Sequence, residues 1–178
     1  MRKKSLPLSK VYTLIEPGPV VLLTTAHAGK QDVMAMSWHT MLDFEPPLIG
    51  CVVSNRNHSY RLLRASGECV LNIPDAGLAQ QVVGCGNTSG ARTDKFRRYA
   101  LTRSSAREVG APLIDECFAS LECRVVDTRM VPSYCLFVVE VVKAWLDPGA
   151  RAPRTLHHRG RGTFMIAGES IRLPSRKK

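Results

Sequence analysis

Short β-rich segments, joined by tight turns, constrain the fold of this chain more than any other feature. Residues 20–26, 32–38, 46–54 and 68–74 are rich in β-branched and apolar side chains and are bounded by glycine, proline or asparagine. The sequence HAGK between the first two segments predicts a hairpin turn in which Gly29 has a positive φ. Consecutive strands with such short connections favour an antiparallel sheet.

The second half of the chain continues this pattern. FASLECRVVDTRMV and YCLFVVEVVKAWLD predict two long strands, and GTFMIAGESIRL predicts a final hairpin around Gly168. Residues 58–66 and 76–86 predict short helices that end at glycines. About eight strands with two or three helices predict one mainly β domain over residues 1–178, a β-barrel with helices packed on its outside.

The net charge of +10 lies at the two ends of the chain. Residues 1–10 carry +4 and residues 149–178 carry +7, whereas residues 11–148 sum to −1. Basic ends can bind nucleic acid or another polyanion without specificity, and they can equally be solvated tails. We predict that residues 1–10 and 174–178 are flexible, and we rank nucleic-acid binding as the less favoured hypothesis.

The six cysteines predict neither a disulfide scaffold nor a metal site. They show no CxxC spacing, and several lie in apolar strand-like segments, which is typical of reduced, buried thiols. The adjacent His157 and His158 have no partner pattern and are more typical of surface residues than of a metal pair. Without a signal peptide or a membrane-length apolar segment, the predicted location is the cytoplasm.

A candidate site begins where the second strand ends. Ser37, Trp38, His39 and Thr40 follow one another there and offer a stacking face, two hydroxyls and an imidazole. A planar, polar heterocycle would use such a mixture. The alternative is the polar edge of an ordinary core.

Two further segments predict anion binding. Ser54, Asn55, His58 and Ser59 cluster at the start of the first helix, where free N–H groups attract anions, although ordinary helix capping is the alternative. Residues 84–96 form a glycine-rich loop with Ser89, Arg92 and Lys95, which could also be a plain surface loop. No nucleophile set or carboxylate pair is evident, so any difficult chemistry would belong to a bound cofactor, and we name no catalytic residue.

In order and spacing, these segments resemble the flavin reductase-like, FMN-binding split-barrel proteins, which include flavoredoxin. The matching motifs are PGPVVLLTT, DVMAMSWHT, EPPLIGCVVS, NHSYRLL, ECVLNIP and VGCGNTSGARTDKF, with a looser match at LHHRGRGTF. The resemblance implies a six-stranded Greek-key split barrel with flanking helices. It also implies a homodimer with FMN near the dimer interface.

The resemblance assigns roles to individual residues. It places Ser37, Trp38 and Thr40 along the flavin ring and ribityl chain, and Ser54, His58 and Ser59 near the phosphate. Ser89 and Lys95 fall on its loop motif, where Lys95 would pair with the phosphate, and Phe164 is its late aromatic beside the flavin. Asp32 departs from the pattern, because many relatives have asparagine there; we predict that it faces away from the phosphate or meets a flavin N–H.

The leading functional hypothesis is an FMN-dependent oxidoreductase that passes electrons from NAD(P)H through flavin to a second acceptor. The alternative is an FMN-carrying electron-transfer protein without its own NAD(P)H site. The sequence does not separate them, because it contains no nicotinamide-binding fingerprint.

Overall fold

A computed structural model describes residues 3–11 and 19–174 of the chain. It contains one large antiparallel sheet in the order β3-β2-β6-β9-β10-β5-β4, with β1 added beside β10. These strands are β1 Lys4–Leu6, β2 Val21–His27, β3 Lys30–Met36, β4 His39–Phe44, β5 Pro47–Val52, β6 Glu68–Ile73, β9 Ala119–Asp127 and β10 Leu136–Leu146. Two small hairpins accompany them, β7 Arg103–Ser104 with β8 Leu113–Ile114, and β11 Leu156–His158 with β12 Phe164–Ile166.

The two edge strands of the large sheet are neighbours in the sequence. β3 and β4 lie at opposite ends of the strand order, yet only Ser37 and Trp38 separate them. The backbone N–H of Val52 in β5 donates to the carbonyl of Trp38 at 2.9 Å. The sheet must therefore curl until its edges meet at this corner, which is the geometry of a barrel split along one seam and confirms the predicted fold class.

The apolar core lies on both sides of the central strands, which are buried on both faces. Val21 and Leu23 of β2 point into the barrel, where they join Ile49, Leu71 and other apolar residues. Leu22 points outward into a second apolar cluster formed with the helices. Burial of β2 on both sides explains its continuous apolar sequence.

Four α-helices lie among the described residues: α1 His58–Ser66, α2 Ala79–Asn87, α3 Lys95–Arg98 and α4 Val131–Tyr134. α1 packs against β2 and β3 and ends as predicted at Gly67, whose φ is +70°. α2 also packs against β3. α3 begins at the end of the predicted glycine-rich loop, where no helix was predicted, and the Asp94 side chain caps it by accepting from the backbone N–H of Arg97.

Two expectations from the sequence need correction. The final hairpin turns at residues 160–162, where Gly160 and Gly162 have positive φ, and not around Gly168. The eight strands of the large sheet differ slightly in number from the six that the resemblance implied, within the same fold class. The first residues are not a loose tail: Lys4–Leu6 pair with β10, and the ammonium of the half-buried Lys3 donates to the carbonyl of Ile114 at 2.7 Å. Residues 1–2 and 175–178 of the predicted flexible ends lie outside the described residues.

The predicted burial of the cysteines holds for five of the six. All six cysteines are free thiols, five are buried and Cys135 is half-buried. Within the described part of the chain, no helix is long and apolar enough to cross a membrane, and no cluster of candidate metal ligands occurs.

Candidate functional site

Two cavities adjoin one another along the uncovered side of β3, between this strand and helices α1 and α2. We call the first the apolar cavity; its volume is about 280 Å³. Its walls come from the ends of β2 and β3, the middle of α2 and the hairpin β11–β12. The lining residues are Val20, Ala35, Met36, Ser37, Val82, Val83, Gly86, Asn87, His158, Gly162 and Phe164.

The second cavity, of about 390 Å³, has a different chemistry, and we call it the polar cavity. It shares Ala35, Gly86 and Asn87 with the apolar cavity, so the two form one continuous groove. Its other lining residues come from the start of α1 and from the loop after α2. They are Asp32, Met34, Arg56, Asn57, His58, Ser59, Cys85, Thr88, Ser89, Gly90 and Lys95.

A buried ion pair forms one wall of the polar cavity. The Lys95 ammonium lies 2.9 Å from Asp32 Oδ1, and both side chains are no more than 3% exposed. Ser59 Oγ donates to Asp32 Oδ2 at 2.6 Å. Asp32 on β3 therefore binds both the ammonium of Lys95 from α3 and the hydroxyl of Ser59 from α1.

Gly90 fits this arrangement because it has no side chain. A Cβ at this position would lie 2.0 Å from Asp32 Oδ1, which no side chain can tolerate. The absence of a Cβ lets the loop after α2 approach the ion pair closely enough to cover it.

The N-terminus of α1 opens into the polar cavity. Asn57 occupies the N-cap position, but its side chain makes no capping hydrogen bond. The first N–H groups of this nine-residue helix therefore lack a side-chain partner. Together with the exposed Arg56, they make this end of the groove suitable for an anion.

Cys85 lines the polar cavity but is not a nucleophile. Burial is the main reason that the pKa of its thiol is raised to about 11; the nearby Lys95 opposes the shift and Asp32 adds to it. At neutral pH the group is a thiol, which neither attacks carbon nor binds metal well. The groove thus offers binding and orientation.

A third, basic cleft of about 440 Å³ continues from the polar cavity, with which it shares His58 and Gly90. It lies between the β2–β3 hairpin and the loop that precedes α3. Its lining residues are Gly29, Lys30, Gln31, His58, Gly90, Ala91, Arg92, Thr93, Asp94 and Arg103.

The structure brings many of the predicted site residues to these cavities. Ser37 and Phe164 line the apolar cavity, although they are far apart in the sequence. The polar cavity and the basic cleft together contain His58, Ser59, Ser89, Arg92 and Lys95.

The remaining predicted residues lie elsewhere in this protomer. Trp38 is 71% exposed at the barrel seam, and Thr40, Ser54 and Asn55 are also exposed, but none of them lines the three cavities. Their predicted contacts with a cofactor stay predictions.

His39 is part of the framework and does not line the cavities. Its Nε2–H donates to the carbonyl of Pro19 at 2.6 Å, which fixes the end of β2 beside β4. Burial lowers the pKa of this imidazole, so it is the neutral donor at physiological pH.

Sequence reasoning missed the role of two residues. Asp32 is the anchor of Lys95 and Ser59, a pairing that depends on contacts distant in sequence. His158 lines the apolar cavity, and its ring lies 5.1 Å from that of Phe164. The sequence did hold a signal for the pairing of His158 with Phe164: the short segments LHH and TFM flank the glycine turn at residues 160–162, as the two strands of a hairpin would.

Comparison with known proteins identifies relatives of this chain. The sequence model of a family described as "Flavin reductase like domain" matches residues 14–164. The uncharacterized protein YddH of Escherichia coli is 30% identical over 172 residues, covering 89% of this chain and 91% of the relative. The FMN reductase (NADH) RutF of Agrobacterium fabrum is 25% identical over 133 residues, covering 74% and 73% of the two chains.

Solved structures agree with these matches. An FMN-binding domain of a flavin reductases-like enzyme from Shewanella baltica superposes with a TM-score of 0.90 and 27% identity, over 97% of this chain and 98% of the other. Flavoredoxin from Methanosarcina acetivorans superposes with a TM-score of 0.78 and 25% identity, over 89% of both chains.

Proposed function

The chain belongs to the flavin reductase like domain family, and on this premise we propose that it binds FMN in the groove formed by the apolar and polar cavities. We further propose that it passes electrons from NAD(P)H through the flavin to a second acceptor. The observation that carries the proposal is the continuity of an apolar cavity with an anion-attracting one along β3. FMN has the same two parts, a flat ring and a phosphate.

The apolar cavity suits the ring. Val20 and Val82 are buried side chains in its wall, and Phe164 is half-buried beside them. Flat apolar surfaces of this kind favour an aromatic ligand, while Ser37 and Asn87 can fix its orientation through hydrogen bonds.

The polar cavity suits the phosphate. The uncapped N–H groups of α1 point their dipole into it, and Arg56 adds a positive charge at its rim. Lys95 also lines it, with a charge that Asp32 already balances. The phosphate would therefore rely on the helix N-terminus and Arg56 more than on Lys95 alone.

Bound FMN would supply the electron-accepting chemistry, and the protein would bind and orient it. Val20, Val82 and Phe164 would keep water from one side of the ring. No ionised acid and no reactive thiol is required of this groove, which agrees with the protonated state of Cys85. RutF is named as an NADH-dependent FMN reductase, which supports a nicotinamide donor for this chain.

The absorption spectrum of the purified protein tests this proposal. We expect bands of bound flavin in the visible range, either as isolated or after addition of FMN, and FMN-dependent oxidation of NADH or NADPH. A protein that stays colourless and does not quench the fluorescence of added FMN would refute it.

Flavoredoxin among the structural neighbours favours a second candidate, an FMN-carrying electron-transfer protein without its own NAD(P)H site. Stopped-flow reduction separates the two functions. Reduction of the bound flavin by excess NADH or NADPH within seconds supports the reductase. No reduction by either nucleotide, with normal reduction by dithionite, supports the carrier.

We also propose that two protomers associate through the seam of the barrel, in the cytoplasm. Trp38, just before edge strand β4, and Leu42, on that strand, are 71% and 51% exposed, which is unusual for large apolar residues at a sheet edge. Burial of this surface by a second copy would bring Trp38 under cover near the site. The free thiols of the described chain suit a reducing compartment.

Leu42→Arg should convert this dimer to a monomer. A buried, unpaired charge at the centre of an apolar contact is strongly unfavourable, whereas the exposed position leaves the protomer fold intact. Light scattering after size exclusion measures the mass. A wild-type protein with the mass of one chain, or a variant that stays dimeric, would contradict the assignment of this surface.

A further inference from the structure

A fourth and larger cavity lies outside the groove along β3, and we call it the basal cavity because it adjoins the base of the hairpin β11–β12. Its volume is about 1020 Å³. One wall comes from residues 151–155, which lead into β11, and another from residues 166–170, at and after the end of β12. The buried Phe118 lies between them. Flavin binding in the groove leaves this cavity without a role.

The surface around the basal cavity is basic. Residues 148–174 carry five arginines, all of them exposed, against one carboxylate, the exposed Glu169. The neighbouring carboxylates of Asp75 and Asp147 each accept from a backbone N–H, at 2.7 and 2.9 Å. The five ion pairs found among the described residues involve none of these arginines. Positive charge is therefore left for a partner to neutralise, on Arg151, Arg154, Arg159, Arg161 and Arg172.

Large apolar side chains are exposed beside these arginines. Ile166 lines the basal cavity and is 47% exposed, and Ile171 and Leu173, on the segment that leaves it, are 78% and 71% exposed. Arginine without lysine, combined with apolar side chains, is typical of a protein-binding surface. Phe118 is only 7% exposed, so it offers no stacking platform to a nucleic-acid base. The surface therefore favours an acidic protein over a nucleic acid.

The basal cavity also lies close to the proposed position of the flavin ring. Phe164 lines the apolar cavity, Ile166 lines the basal cavity, and both belong to β12. Two residues of a strand span about 7 Å. A protein bound at the basal cavity would therefore be separated from the ring by a few side chains, which is a short path for an electron.

We propose that the basal cavity and its arginines bind an acidic redox protein, and that this protein is the second acceptor of the electrons. For each flavin reoxidised, two molecules of a one-electron acceptor protein take one electron each, and the protons of the reduced flavin go to the solvent. Opposite charges steer the two proteins together, as in other transient redox encounters. The electron-transfer step rests on the proposed function, whereas the binding of the partner does not require flavin.

Two haem proteins of opposite charge serve as probes, the acidic cytochrome b5 and the basic cytochrome c. The flavin-loaded protein is reduced with dithionite without oxygen and mixed with each oxidised cytochrome in a stopped-flow instrument, where haem absorbance reports the transfer. We expect the rate constant for cytochrome b5 to fall by about tenfold from low to high salt, because screening removes the steering. The rate constant for cytochrome c should stay constant or rise with salt.

Arg151→Glu/Arg154→Glu tests whether the basal cavity is the binding surface. At low salt this variant should slow electron transfer to cytochrome b5 by about tenfold and leave the reduction of benzoquinone, a small uncharged acceptor, unchanged. Arg61→Glu/Arg64→Glu is the matched control, because it changes the net charge equally at exposed positions on α1. The control should have little effect on either acceptor.

Titration calorimetry of the flavin-free protein with oxidised cytochrome b5 at low salt separates this inference from the proposed function. A protein that binds no flavin refutes the proposed function, yet binding of cytochrome b5 that only the basal variant weakens still supports the surface. No binding by the wild-type protein, or equal losses in the basal variant and its control, overturns the inference.

Two further results would assign the basal cavity to another occupant and overturn the inference. A basal variant that loses the mass of a dimer in light scattering assigns the cavity to a second copy of the chain. A DNA oligonucleotide that binds more tightly than cytochrome b5, and is lost in the same variant, assigns it to nucleic acid.

Discussion

Asp32→Ala should lower the free energy of unfolding by about 3–5 kcal/mol. The substitution leaves the Lys95 ammonium buried without its counter-charge, and loss of one partner of a buried ion pair typically costs this much. It also removes the acceptor of the Ser59 hydroxyl, which donates to Asp32 at 2.6 Å. Urea unfolding of the flavin-free protein measures the change without a contribution from ligand binding.

A double-mutant cycle with Lys95→Met separates the ion pair from simple loss of packing. Once Lys95 is methionine, the buried charge that Asp32 compensates is gone, so Asp32→Ala should cost much less in that background. Arg129→Met is the control, because its ion pair with Asp127 is at the surface and its side chain is 89% exposed. We expect no measurable change in that variant. Additive effects of the Asp32 and Lys95 substitutions would contradict a coupled pair.

The strands and the first helix could be predicted because their signals are local. Gly29 and Gly67 end a strand and a helix where the sequence indicated, and both have positive φ. The short helix α3 was not predicted, since its stability depends on the Asp94 cap and on Phe96 packing into a distant apolar cluster. The turn of the final hairpin was predicted at the wrong glycine, because the glycines at residues 160–162 and at residue 168 are equally suitable for a turn until the paired strands are known.

The site could be predicted only in part, for a related reason. Residue types indicated a heterocycle-binding strand end and a phosphate-binding helix start, and the structure brings Ser37 and His58 to one groove. The sequence could not show that Lys95 is already paired, because Asp32 lies more than sixty positions earlier in the chain. Nor could it show that Trp38 faces outward, which depends on where the sheet closes.

Asp32→Asn should tighten FMN by about tenfold and leave riboflavin unchanged. The amide keeps the shape of the side chain and an oxygen that accepts from Ser59 and Lys95, but it removes the negative charge. Lys95 then presents an unbalanced positive charge to the polar cavity. A change of one charge at this range is worth about 1–2 kcal/mol toward a phosphate, and only FMN carries one.

The same substitution should make the protein less stable, because a buried ammonium loses its counter-ion, although less so than Asp32→Ala. A loss of stability together with a gain in FMN affinity is specific to a charge-balancing role, since a loosened pocket would bind both flavins less well.

Lys95→Met should reverse the binding effect: it leaves Asp32 negative beside the phosphate and should weaken FMN but not riboflavin. Fluorescence titration of both ligands against the three proteins measures this, and parallel changes for FMN and riboflavin would show that Asp32 serves the fold alone.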